Sequence, residues 1–221
     1  KSLSKGVERG KLTPAEMASA LDKIKTTTAL ADFAHCDLVI EAATENMQLK
    51  KTLFTELDVI TGPNALLASN TSSLSITEIA SATQRPDRVV GLHFFNPVPV
   101  MPLLEIVRGL LTSEDTLDAM RQLGEQLDKT LVFAKDNPGF IVNLLLIPYL
   151  FDAIRALDNS VATKEDIDTG IRLGLNHPMG PFTLMDFIGL DTCLFNGDAM
   201  YDEFKDARYA APPLLRRMVT A

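Results

Sequence analysis

Two ionisable residues lie inside apolar runs of the sequence, where an unpaired charge would be costly to bury. His93 stands in the run RVVGLHF, and Glu105 stands in the run LLEIVRG. If the proline-rich segment FNPVPVMP folds the second run back beside the first, Glu105 can accept a hydrogen bond from the imidazole of His93. Such a bond would fix the tautomer and leave the other ring nitrogen free to act as a base near neutral pH. The spacing alone does not exclude a purely structural hydrogen bond.

Two further polar residues each have two interpretations. Asn143 is the one polar residue in FIVNLLLI, so it is either a core amide bonded to the backbone or an amide that reaches across a domain interface to a bound carbonyl or hydroxyl. Ser75 and Glu78 have the spacing of a capping box. That assignment leaves Ser72 either for turn chemistry or for contact with a ligand.

Five apolar, β-rich runs alternate with helical patterns in the first part of the sequence. This alternation predicts an α/β layer with a largely parallel sheet. In such a sheet, ligands bind beyond the carboxyl ends of the strands, where Glu45, Ser72, His93 and Asn96 stand. The runs cover residues 37–43, 65–70, 88–94, 103–109 and 130–134, with 26–28 as a possible short strand.

No strand signal follows Lys135, and the rest of the sequence has helical patterns. Pro138 suits a first helical position, and the apolar residues 140–157 predict a helix that is buried nearly all round at its start. We therefore divide the chain into an α/β domain, residues 1–135, and an all-α domain, residues 136–221.

Composition limits the class of protein. The chain has 221 residues and a formal net charge of −8, so nucleic acid is an unexpected partner. The longest apolar run, residues 140–151, is shorter than the roughly 20 residues of a bilayer span. We predict reduced thiols at Cys36 and Cys193 and no metal site, because no ligand spacing is present. His35 and His177 lack an apolar strand setting, and we predict no chemical role for them.

Five segments, in order along the chain, resemble the 3-hydroxyacyl-CoA dehydrogenase family, particularly its short-chain, 3-hydroxybutyryl-CoA members. They are DLVIEAATEN, SNTSSLSITEIA, RVVGLHFFNPVPVMPLLEIV, DNPGFIVN and KEDIDTGIRLGLNHPMGPFTLMDFIGLD. The resemblance implies a partial Rossmann-like NAD-binding domain followed by a helical substrate and dimerisation domain. It also implies reversible, NAD-dependent oxidation of (S)-3-hydroxyacyl-CoA to 3-oxoacyl-CoA in fatty acid metabolism and beta-oxidation. A homodimer in the cytoplasm, or in the mitochondrial matrix of a eukaryote, is expected.

The same resemblance implies roles for individual residues. His93 would be the catalytic base, and Glu105 would orient it. Ser72 and Asn143 would bind the substrate. The cofactor-binding residues would be Glu45, Lys50, Ser72 and Asn96.

The sequence departs from the family pattern in three places. The opening strand, G-x-G-x-x-G turn, helix and second strand are absent, and we expect them to belong to a longer protein of which this sequence is a part. Leu144 stands where the family has arginine, and the glycine-rich ending of the family is also absent. A catalytically silent homologue, or an NAD-linked dehydrogenase of a free 3-hydroxy acid, remains an alternative; enzymes of the latter kind commonly use a lysine base.

Overall fold

The computed structural model describes residues 2–220 and contains an α/β part followed by a helical part. The strands are β1 (Leu38–Glu41), β2 (Leu66–Ser69), β3 (Val89–Phe94), β4 (Leu103–Arg108) and β5 (Thr130–Lys135). The helices of the α/β part are α1 (Ser2–Glu8), α2 (Pro14–Asp22), α3 (Met47–Ile60), α4 (Ile76–Ala80) and α5 (Glu114–Gln126). Those of the helical part are α6 (Val142–Asp158), α7 (Lys164–Gly174), α8 (Pro181–Ile188), α9 (Leu190–Phe204) and α10 (Pro213–Thr220).

The strands form a sheet in the order β1-β2-β3-β4-β5. All neighbours are parallel except β3 and β4, which are antiparallel. The connection between β3 and β4, residues 95–102, is shorter than the dozen residues that a parallel crossover needs, so the chain must turn back. The predicted α/β class with a mostly parallel sheet is confirmed.

Apolar side chains cover both faces of the sheet. Phe54, Ile76 and Phe140 belong to the core on one face, whereas Leu92 and Met120 belong to the core on the other. A separate core lies within the helical part. Since the central strands of the sheet are covered on both faces, a ligand meets these strands at their ends.

Three helices begin after a residue whose type favours the N-cap position and which precedes a helical pattern in the sequence. The side chains of Asn46, Ser113 and Thr163 accept backbone N–H groups at the starts of α3, α5 and α7. The capping box predicted for Ser75 and Glu78 is only half formed. Ser75 Oγ accepts from the amide of Glu78, but the Glu78 carboxylate lies 3.4 Å from Lys51 Nζ instead of returning to the cap.

Three local predictions are wrong. Residues 26–28 form no strand, and the first helix of the helical part begins at Val142, so that Pro138 lies in the preceding turn. Phe140 cannot be helical, because its φ of 51° is left-handed. The start of α6 is not buried all round either, since Leu145 is 69% exposed. Within residues 2–220, no helix has both the length and the apolarity that crossing a bilayer requires.

Candidate active site

His93 and Glu105 are directly opposite each other in the antiparallel pair of β3 and β4. His93 Nδ1 and Glu105 Oε2 are 2.6 Å apart. The two residues are 4% and 0% exposed, so this polar contact lies in the core of the sheet. The structure therefore brings together the two residues that the sequence singled out, through the predicted fold-back of the proline-rich segment.

The second oxygen of Glu105 binds the start of α6. Glu105 Oε1 accepts hydrogen bonds from the backbone amides of Ile141, at 3.1 Å, and Val142, at 3.0 Å. Both donors belong to the helical part of the chain, so the carboxylate joins the two parts. Sequence analysis missed these donors, although the Pro138-Gly139 pair marks a turn that could aim them.

The contact with Glu105 engages one nitrogen of the His93 ring. An ionised carboxylate can only accept a hydrogen bond, so Nδ1 is the donor in this contact, and Nε2 is the ring nitrogen that Glu105 does not engage. The imidazole packs against Phe95, with ring centroids 4.6 Å apart, and edge-on to Phe140, at 5.6 Å. These contacts hold the ring in one orientation.

The loop that carries Ser72 is tied to the ends of two other strands. Glu45 Oε1, beyond β1, accepts from Thr71 Oγ1 at 2.9 Å and from the amide of Ser72 at 2.6 Å. Asn70 Oδ1 accepts from the amide of Phe94, the residue after His93, at 2.9 Å. The Ser72 loop is thus fixed relative to the end of the strand that carries His93.

Lys50 is almost completely buried, at 1% exposure. Its Nζ donates to Glu41 Oε1 and Oε2 at 2.8 and 3.0 Å, and lies 3.3 Å from Glu45 Oε2 in an ion pair without hydrogen-bond geometry. Ser69 Oγ donates to Glu41 Oε2 at 2.6 Å. Sequence analysis missed Glu41, although a carboxylate in the apolar run DLVIEAA carries the same signal as Glu105 in LLEIVRG.

Two buried atoms beside the Ser72 loop have no hydrogen-bond partner within the described residues. They are Glu45 Oε2 and Ser73 Oγ. Buried polar groups are almost always hydrogen-bonded, so these atoms could pair with amide or hydroxyl groups of a ligand. They lie at the carboxyl end of the sheet, where ligands of such sheets bind.

The two predicted amide side chains are placed differently. Asn143 is partly buried in the first turn of α6, and Asn96 is exposed in the turn after β3. Among residues 2–220, no hydrogen bond joins either amide to His93 or Glu105. Leu144, where the family has arginine, packs against the core of the helical part. The part of the chain that the structure describes contains no cluster of three potential metal ligands.

Two family models match the chain. One is described as 3-hydroxyacyl-CoA dehydrogenase, NAD binding domain, and matches residues 1–137. The other is described as 3-hydroxyacyl-CoA dehydrogenase, C-terminal domain, and matches residues 139–221.

Individual relatives agree with these matches. A 3-hydroxybutyryl-CoA dehydrogenase of Clostridioides difficile is 48% identical over 221 residues, which is 100% of this chain and 79% of the relative. The mitochondrial hydroxyacyl-coenzyme A dehydrogenase of Homo sapiens is 47% identical over 90% of this chain and 64% of its own length. The crystal structure of (S)-3-hydroxybutyryl-CoA dehydrogenase from Ralstonia eutropha superposes with a TM-score of 0.95 at 48% identity, covering 99% of this chain and 77% of that one.

Proposed function

This chain belongs to the 3-hydroxyacyl-CoA dehydrogenase family, an NAD-dependent oxidoreductase family, and we propose from that premise that His93 is its catalytic base and Glu105 the residue that positions it. The observation that carries the proposal is the buried 2.6 Å contact between His93 Nδ1 and Glu105 Oε2. A histidine paired in this way presents its other nitrogen as a base of fixed tautomer.

The proposed mechanism assigns the proton to His93. Nε2 removes the proton of the 3-hydroxyl group as the hydroxyl carbon is oxidised, and the ring becomes an imidazolium. Glu105 balances that charge, because its carboxylate is held 2.6 Å from Nδ1. Bound NAD would supply the acceptor for the hydride that leaves the substrate carbon. In the reductive direction, His93 returns the proton to the oxygen of the 3-oxo group.

Further residues of the chain are proposed to bind substrate and cofactor. Ser72 and Asn143 hydrogen-bond the reacting oxygen of the substrate, which polarises the 3-oxo group in reduction. The nicotinamide half of NAD is held by the residues predicted for that role, namely Glu45, Lys50, Ser72 and Asn96. Glu45 Oε2 accepts no hydrogen bond within the described residues, which supports this assignment, whereas Lys50, which is bound to Glu41 and lies 3.3 Å from Glu45 Oε2, acts there through Glu45.

The substrate is proposed to be a short-chain (S)-3-hydroxyacyl-CoA such as 3-hydroxybutyryl-CoA, the compound named for several relatives. Fatty acid metabolism, in the cytoplasm or the mitochondrial matrix, is the corresponding setting. The proposed division is an NAD-binding domain of residues 1–135 and a helical domain of residues 136–221. A homodimer through the helical domain is supported by its exposed apolar side chains, since Leu145, Leu173 and Phe187 are 65–69% exposed.

The experiment measures NADH absorbance with (S)-3-hydroxybutyryl-CoA and NAD. We expect His93→Gln to lower kcat by about 10²- to 10⁴-fold, the range of general base catalysis. His177→Gln is the matched control, because His177 is exposed, and it should retain wild-type turnover. Wild-type turnover of His93→Gln would disprove the assignment of the base. Turnover of free 3-hydroxybutyrate but not of its CoA ester would identify the free-acid enzyme instead.

A further inference from the structure

Glu105 is fully buried, and its two oxygens are bound by different parts of the molecule. Oε2 contacts His93 at 2.6 Å, whereas Oε1 accepts from the amides of Ile141 and Val142 at 3.1 and 3.0 Å. These two amides lie at the N-terminus of α6, where N–H groups have no carbonyl partner within the helix. They are backbone groups, so their direction is set by the path of the chain and not by a rotamer.

The chain reaches that position through a left-handed turn. Gly139 has a φ of 79° and Phe140 a φ of 51°. A non-glycine residue in this region is strained and persists only where the surroundings impose it. A Cβ at Gly139 would overlap Met200 Cε and lie 2.9 Å from the amide nitrogen of Leu144. Only glycine therefore fits this turn.

The turn is anchored on both sides. At its start, the Asp136 carboxylate accepts from Ser75 Oγ and from the amides of Ile76 and Thr77 at 2.7–2.8 Å. At its end, the buried ring of Phe140 packs edge-on to His93, with centroids 5.6 Å apart. The segment between the two parts of the chain is thus held against the imidazole.

We propose that the amides of Ile141 and Val142, presented by the turn at Gly139 and Phe140, position Glu105 for its action on His93. The inference rests on the proposed function, because it concerns the same base. Two N–H donors and the positive end of the α6 dipole favour the anionic carboxylate. They also occupy Oε1, so that Oε2 is directed at Nδ1 of His93. The helical part therefore supplies groups that the catalytic pair requires.

A backbone ester tests this role without changing any side chain. Replacing Val142 by its α-hydroxy analogue removes one N–H donor to Glu105 and keeps the valine side chain. We expect kcat to fall about tenfold, the effect of one hydrogen bond to a charged group. The acidic limb of the kcat/KM profile should move to higher pH, because a carboxylate with fewer donors binds the imidazolium proton more tightly. The Nδ1 proton resonance of His93 should shift as well, which is a readout independent of turnover.

Two further ester variants complete the test. The same ester at Ile141 removes the other donor and should reproduce the effect, so the result does not depend on the folding of one variant. An ester at Glu165, in the exposed first turn of α7, should leave kcat, pH profile and resonance unchanged. Esters at both donor positions that keep the wild-type pH profile would overturn the inference while the His93→Gln result still stands. Loss of His93 without loss of turnover would overturn the proposed function itself.

Discussion

The sheet buries two carboxylates, Glu41 at the end of β1 and Glu105 in β4, and their partners differ in kind. Glu41 is 6% exposed and bound to the ammonium group of Lys50 and to the hydroxyl group of Ser69. Glu105 is 0% exposed and bound to His93, which can gain and lose a proton, and to two amides. An ammonium group can serve as a fixed structural anchor for a carboxylate, whereas an imidazole has a second nitrogen that can act on a reacting group. We therefore propose that the first carboxylate stabilises the fold and that the second takes part in the chemistry.

Removal of Lys50 gives the largest effect expected from this comparison. Lys50→Met leaves Glu41 buried without its cation, and we expect the free energy of unfolding to fall by about 3–5 kcal/mol. Urea denaturation followed by circular dichroism measures the loss. Adding Glu41→Gln to the same protein should restore part of it, because the stranded charge is then gone.

Lys51→Met is the matched control for that experiment. Lys51 is the next residue on α3, but its pair with Glu78 is solvent-exposed, so its loss should cost less than about 1 kcal/mol. Equal destabilisation by the two substitutions would show that Glu41 and Lys50 are not the anchor that their burial indicates.

Glu105→Gln tests the other side of the comparison. A neutral glutamine cannot balance the imidazolium of His93, so kcat should fall about 10²-fold, with a changed pH profile of kcat/KM. Steady-state kinetics between about pH 5 and pH 10 measure both effects. Glu114→Gln is the control, because Glu114 is the exposed partner of Arg108, and this substitution should leave kcat and the pH profile unchanged. A Glu105→Gln profile that overlays wild type would reduce Glu105 to a packing residue.

Asp168 provides the smallest effect, because it is a partly exposed carboxylate with a purely structural role. It accepts from the amides of Phe182 and Thr183 at 2.8 and 2.9 Å and so caps α8 from the neighbouring helix. Burial by itself would raise the pKa of Asp168, but the hydrogen bonds from Thr183 and Phe182 and the nearby Lys164 hold this pKa below its ordinary value. Asp168→Asn should therefore cost about 1 kcal/mol of stability at neutral pH and leave kcat unchanged.

The pH dependence of that loss has a definite sign. The pKa of Asp168 is lower in the folded than in the unfolded protein, so the Asp168 carboxylate gives its full stabilisation at pH values above the pKa of the unfolded state. This stabilisation is lost as the pH falls through the pKa of the folded state. The stability difference between wild type and Asp168→Asn should thus vanish in strong acid. A difference that stays constant down to about pH 2 would contradict the assignment of the cap.

Local patterns predicted the strands and most helix caps well, because burial of apolar residues and capping of backbone groups are decided by neighbouring residues. The start of α6 was mispredicted because such patterns take account only of neighbouring residues. Apolar residues continue from Phe140 into the helix, and nothing local shows that Phe140 adopts a left-handed backbone or that the amide of the next residue, Ile141, donates to Glu105.

The sequence by itself determined that His93 and Glu105 need partners, because an ionisable group in an apolar strand is costly to bury alone. It also offered a fold-back of the proline-rich connection as the condition under which the two runs would lie side by side, and the structure meets that condition. Only the tertiary structure decided which groups complete each site. The amides that bind Glu105 lie 36 and 37 residues further along the chain, and hydrogen bonds over such separations depend on where the whole backbone runs.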